Sequence, residues 1–185
     1  MDDLFWDDSN GGYFSAADTG DAVLLRVKDD NDNSEPSPNS TAALNLIRLS
    51  HITGEVALRK RVRSILKNFA WHTANSASSL PGLALAADAT QAPSSHVLVA
   101  APERNEAVIE AVRALQRHGA LQAVPVVVLL AVAGDEELAA VAPSVAGMGP
   151  LDRDGGPVTT FYVCANGSCR APTTDLDEAI AQLSP

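Results

Sequence analysis

Glu35-Pro36-Ser37-Pro38-Asn39-Ser40 places a carboxylate, two hydroxyls and a carboxamide just ahead of the apolar run Ala42-Ala43-Leu44-Asn45-Leu46-Ile47-Arg48-Leu49. A carboxylate shifted in pKa by burial or by a like charge serves as a general acid or base, and Glu35 is the candidate for that role. Ser37, Asn39 and Ser40 offer hydrogen bonds to a polar ligand. The same residues also make a well-formed helix start. Pro38 presets φ for the first turn, Ser37 can cap its free N–H groups, and Glu35 can offset the positive end of the helix. Upstream, Gly11-Gly12-Tyr13-Phe14 supplies a backbone able to approach another segment closely. Ligand site and helix start both fit this pattern.

Cys164-Ala165-Asn166-Gly167-Ser168-Cys169 is the second chemical signal. Asn-Gly is the favoured centre of a two-residue hairpin, which would pair Ala165 with Ser168 and set Cys164 opposite Cys169. Such a pair has Cα atoms roughly 4.5 Å apart, so a cross-strand disulfide or a paired dithiol is geometrically allowed. Two reduced thiols at a strand end is the other reading. A zinc site would need two further ligands from distant histidines. The histidines are His51, His72, His96 and His118; His51 and His72 fall near helix C-termini and His118 just past one, where a structural role is the default. Asp29, Asp30 and Asp32 lack the glycine and distal glutamate of a calcium loop and read as a solvated acidic stretch. Ala101-Pro102-Glu103-Arg104-Asn105 lies where an α/β fold could bind phosphate, without the glycines needed for close approach. No Gly-x-Ser-x-Gly, His-Glu-x-x-His, P-loop or dinucleotide fingerprint is present. Neither a metal nor a cofactor is therefore expected.

At 185 residues and 46% hydrophobic content the chain is long enough for one or two cores, filled mostly by Ala, Val and Leu because aromatics make up only 4%. A formal net charge of −10 argues against nucleic acid as a partner. Ten of the acids lie in residues 2 to 35, beside only Arg26 and Lys28. Val124 to Ala133 is too short to span a bilayer, and no membrane partner is expected. With no signal peptide and two cysteines, a reducing cytoplasm is the expected compartment.

Periodicity divides the chain in two. Residues 1–90 predict a leading β-hairpin, with strands at Tyr13-Phe14 and Ala22 to Val27 around Asp18-Thr19-Gly20-Asp21, followed by helices. The first helix runs from about Pro38 to Gly54, with apolar residues over most of its surface and a narrow polar stripe of Thr41, Asn45 and Arg48. The second begins near Glu55, with Leu58, Val62, Ile65, Leu66 and Phe69 on one face and basic residues on the other. A third is expected over Asn75 to Asp88, shortened or kinked by Pro81 and Gly82. Residues 96–185 predict a small α/β unit. It has a strand at His96 to Ala101, a helix at Asn105 to Arg117 and a fully buried strand at Val124 to Ala133, with the two strands parallel. A short helix at Asp135 to Ala142, a strand at Thr159 to Cys164 and a closing helix at Asp175 to Leu183 complete it.

Taken together, Phe5-Trp6-Asp7, Gly11-Gly12-Tyr13-Phe14, Arg26-Val27-Lys28-Asp29, Glu35 to Ser40 with Ala43 to Leu49, and Tyr162-Val163-Cys164 through Cys169 to Ala171-Pro172-Thr173-Thr174-Asp175 carry a resemblance. The chain resembles the C-terminal part of the thioredoxin-domain-containing family named after spermatogenesis-associated protein 20. The resemblance implies a fold that is mixed α/β: part of an (α/α)6 toroid similar to sugar epimerases and six-hairpin glycosidases, then a small α/β tail. Cys-x-x-Cys is absent, so redox activity of the family's first domain does not carry over. The resemblance implies a terminal fragment, a truncated product or a subunit completing another chain, inactive by itself. On this basis Glu35 is the candidate catalytic residue, with Tyr13 for stacking and Ser37, Asn39 and Ser40 for hydrogen bonds on the rim of a carbohydrate-like cavity. The alternative is a non-catalytic structural or protein-interaction module. In either case a broad apolar face on the Ala42 to Ile52 helix is expected to pair with a complementary chain or a second copy.

Overall fold

The computed structural model describes residues 1–19, 25–91, 95–121, 126–133, 136–153, 155–165 and 168–183. It is mixed α/β, and the chain divides into two compact units, Met1–Ser50 with Glu55–Gln91 and His51–Gly54 with Ala92–Pro185.

The first unit is helical. After a single turn, α1 (Asp2–Phe5), come α2 (Pro38–Thr53), α3 (Val56–Asn68), α4 (Ala70–Asn75) and α5 (Pro81–Ala89). Helix α2 starts as its sequence dictates, because the Ser40 N–H donates to Ser37 Oγ at 3.1 Å, capping the first turn. Its polar stripe Thr41, Asn45 and Arg48 faces solvent. The apolar face expected to be bare is instead core: Ala42, Ala43, Leu46 and Ile47 are buried against α3 residues Val62 and Ile65 and α5 residues Leu83 and Ala86. Each fully buried Val, Leu or Ile there contributes about 1.5–3 kcal/mol. The third helix is shortened at Pro81, one of the two outcomes expected of Pro81 and Gly82. The helical run breaks at Asn75, a 3-10 turn follows at Ala77–Ser79, and α5 begins afresh at Pro81. A proline has no N–H to lose at the first helical position, so it starts a helix rather than kinking one.

The leading hairpin is not seen as a pair of strands among the described residues. Part of it, residues 20–24, lies outside the described residues. Among those described, Tyr13 forms an isolated antiparallel bridge with Trp6, and residues 25–27 form no strand. The Ser15 N–H reaches Val27 O at 2.8 Å. The physical reason is that a side chain has taken the place of a strand partner at Tyr13, as described below.

The second unit is a four-stranded sheet in the order β2-β1-β5-β6. Strand β1 (Ser95–Ala101) pairs in parallel with β2 (Val126–Val132) after helix α6 (Glu106–Leu121), and antiparallel with β5 (Thr160–Ala165), which pairs with β6 (Ser168–Cys169). A short helix α7 (Glu136–Val141) and a separate ribbon, β3 (Leu151–Arg153) with β4 (Gly156–Val158), lie between β2 and β5. Helix α8 (Leu176–Leu183) closes the unit, capped by Asp175, whose Oδ1 accepts from the Asp177 and Glu178 N–H groups. Val97, Val99, Phe161 and Val163 bury one sheet face with residues of α6 and α8; Leu98, Ala100 and Tyr162 cluster on the other with Leu138 of α7. Strand β2 differs from expectation. All seven of its residues are half-buried, because among the described residues it pairs only with β1 and so forms a sheet edge.

Candidate functional site

The helix start at Ser37–Ser40 organises the first unit. Gly11 and Gly12 have φ values of 75° and 86°, and a Cβ on Gly12 would stand 3.1 Å from Asn39 Oδ1. Only glycine permits that backbone shape at that proximity. The Gly-Gly turn brings Tyr13 to Asn39, whose carboxamide behaves as a strand partner. Its Oδ1 accepts from the Tyr13 N–H at 2.7 Å and its Nδ2 donates to Tyr13 O at 2.8 Å. Asn39 is fully buried.

Tyr13 itself is 3% exposed, its ring edge against Trp6 with centroids 5.0 Å apart. Its hydroxyl donates to Asp2 Oδ1 at 2.9 Å, and Arg61 pairs with the same carboxylate. Burial, then the Asp2 hydrogen bond and charge, push the Tyr13 hydroxyl up to about 12.

Asp32 is the residue that sequence reasoning missed. Its Oδ1 accepts from the Ser37 N–H at 2.7 Å and its Oδ2 from the Gly82 N–H at 2.8 Å, so one carboxylate serves the starts of both α2 and α5. Burial raises its pKa, but hydrogen bonds from Ser37, Ser40 and Gly82 outweigh that and hold it below the usual carboxylate value. Two positive helix ends favour the same anion. A Cβ on Gly82 would lie 2.7 Å from Ser40 Cβ, so the contact between α5 and Ser40 depends on the missing side chain. The Ser37 and Ser40 hydroxyls bond each other at 3.1 Å.

Glu35, by contrast, is exposed. It lines an open 420 Å³ pocket with Asp29, Asp30, Asn31 and Asn33. The carboxylate bonded at the helix start is Asp32, three residues earlier. Among the described residues, no group of three or more His, Cys, Asp or Glu could hold a metal ion.

A largely buried ion pair fixes the Gly-Gly turn. Lys28 Nζ sits 2.7 Å from Asp7 Oδ2 and also donates to Gly11 O. The Lys28 hydrogen bond, against a smaller burial effect and with help from the Ser9 and Asn10 N–H groups, lowers the Asp7 carboxyl to about 2. A group whose folded pKa is depressed stabilises the fold fully above its unfolded pKa and loses that contribution as pH falls through the folded one. Lys28→Met is therefore expected to cost about 2 kcal/mol at pH 6, the gap to the parent narrowing as pH falls from about 4 to about 2. Urea unfolding at several pH values measures it.

In the second unit Cys164 and Cys169 face each other across β5 and β6 and are joined as a disulfide, with Cα atoms 3.9 Å apart. The Asn166-Gly167 turn lies outside the described residues. His96 on β1 is the direct partner of Cys164 on β5.

Fold and site together define a mixed α/β chain with one helical unit, tied at a shared polar helix start, and one disulfide-bearing α/β unit. It is homologous over its whole length to one portion of a larger protein, spermatogenesis-associated protein 20. Human spermatogenesis-associated protein 20 is 31% identical over 191 residues, covering 100% of this chain and 23% of the human protein. The rat protein of the same name is 29% identical over 181 residues, 95% of this chain and 22% of that protein. An uncharacterized protein of Caenorhabditis elegans is 26% identical over 174 residues, 94% of this chain and 22% of that protein. The chain thus spans less than a quarter of the length of the curated relatives it matches. No family model matches, and no solved structure does. No helix among the described residues is long and apolar enough to cross a membrane.

Proposed function

We propose that this chain is a non-catalytic structural portion of a larger protein of the spermatogenesis-associated protein 20 type, its helices forming part of an (α/α) toroid. The observation that carries this reading is where the candidate side chains spend their hydrogen bonds. Tyr13, Ser37, Asn39 and Ser40 are all buried, and their polar groups bond one another, Asp2, Asp32 or the main chain. Groups committed in this way hold a fold together; binding a ligand would first require breaking those bonds. Trp71 and Leu85, 70% and 58% exposed on α4 and α5, supply apolar surface for joining the rest of the helical body.

A second reading draws on Glu35. It is the one of the five candidates in this unit that faces solvent, on the open pocket over Asp29 to Pro38. In that reading the chain contributes Glu35 to the rim of a carbohydrate-like cavity completed by other parts of the larger protein.

The purified chain is expected to show no epimerisation or hydrolysis across a panel of reducing sugars and disaccharides, and to self-associate or bind the remaining portion of a homologous protein in light scattering. Turnover by a strictly monomeric chain would overturn the structural reading. Loss of that turnover in Glu35→Gln would then establish Glu35 as the acid or base.

A further inference from the structure

We propose that Cys164, Cys169 and His96 form a thiol–disulfide exchange site, in which the imidazole of His96 receives a hydrogen bond from Cys164 once the disulfide is opened by a dithiol. The register places the three residues in one row across the sheet. His96 on β1 is opposite Cys164 on β5, and Cys164 is opposite Cys169 on β6. Directly opposed residues project from the same face with Cβ atoms about 4.5–5.5 Å apart, so the imidazole and the disulfide are neighbours.

Two further observations separate this row from an ordinary structural bridge. The first is exposure. Cys164 is fully buried, whereas Cys169 is exposed on the two-residue edge strand β6. An incoming thiolate therefore reaches one sulfur and not the other. The second is His96 Nε2, which is buried without a hydrogen-bond partner among the described residues. An unsatisfied buried acceptor or donor is costly, and a disulfide sulfur offers it almost nothing. A thiol offers a donor. Burial lowers the pKa of His96, which favours the neutral imidazole able to accept from it.

The exchange balances as follows. One thiol of the dithiol loses its proton to solvent, and its sulfur bonds Cys169 Sγ. The Cys164–Cys169 bond breaks with its electron pair on Cys164 Sγ, which takes up a proton and donates it in a hydrogen bond to His96 Nε2. The second thiol of the reductant then attacks the mixed disulfide, leaving as an intramolecular disulfide and releasing Cys169 as a thiol after protonation. Two electrons and two protons pass from the dithiol to the cysteine pair. The imidazole partner stabilises the reduced state and leaves the oxidised state with an unpaired nitrogen, so His96 raises the tendency of the pair to be reduced.

The test equilibrates the folded chain with dithiothreitol at graded ratios of reduced to oxidised reagent. Alkylation and mass spectrometry then give the reduced fraction, with circular dichroism as the check on folding. His96→Leu is expected to need about tenfold more reducing conditions than the parent, and His96→Gln, which keeps an acceptor, to lie between them. An equilibrium for His96→Leu within about twofold of the parent overturns the proposal, as does a parent chain whose disulfide yields only on unfolding. Should His96→Leu fail to fold, nitrogen-15 spectra of the parent decide: the His96 Nε2 resonance must shift on reduction, and an unmoved resonance overturns the assignment.

Discussion

Asp32→Ala is expected to lower the unfolding free energy of the first unit by about 3 kcal/mol, because two helix starts lose their shared charged acceptor. The Ser37 and Gly82 N–H groups would both be left without it. Both tryptophans, Trp6 and Trp71, lie in this unit, so urea unfolding followed by tryptophan fluorescence reads it directly. Acid provides the discriminating measurement. The folded Asp32 carboxyl is held below the usual carboxylate value, so its contribution is complete above about pH 4 and is lost as pH falls through the lowered folded value. The gap between parent and Asp32→Ala should therefore shrink in acid. A gap that stays constant down to about pH 2 would mean that the loss comes from packing and not from the anion.

The parts of this fold legible in the sequence are those set by near neighbours. The capping of α2 by Ser37, the amphipathic face of α3 and the apolar strands β1 and β2 follow from spacing within a few residues. The placement of Cys164 against Cys169 follows from the separation of five that an Asn-Gly turn spans. What could not be read depends on distant pairing. Asn39 and Tyr13 are 26 residues apart, and Asp32 and Gly82 are 50 apart. Nothing local distinguishes Asp32 from Asp29 or Asp30, whereas Glu35 stands conspicuously beside the helix start and attracts the role. The position of His96 is illegible for the same reason, since it depends on β1 pairing with β5 across the intervening α6 and β2. The misread edge strand shows the limit of composition: an unbroken apolar run fits a buried strand, but only sheet order says whether both its neighbours exist.

Asn39→Ala separates the two meanings that the polar helix start carries in the sequence. If Asn39 holds the fold, its removal leaves the Tyr13 N–H and C=O unpaired in a buried place, at an expected cost of about 3 kcal/mol in unfolding free energy. Asn39→Asp should be no better. Aspartate keeps an acceptor for the Tyr13 N–H but loses the donor and sets a carboxylate oxygen against Tyr13 O, at a fully buried position. If instead Asn39 served a ligand, both substitutions would leave the urea midpoint near that of the parent, because the side chain would be idle in the unliganded chain. A loss below about 0.5 kcal/mol in both variants would reject the structural role and return the helix start to consideration as a binding site. A large loss in both fixes Asn39 as the side chain that stands in for a missing strand, and accounts for the single bridge where a hairpin was expected.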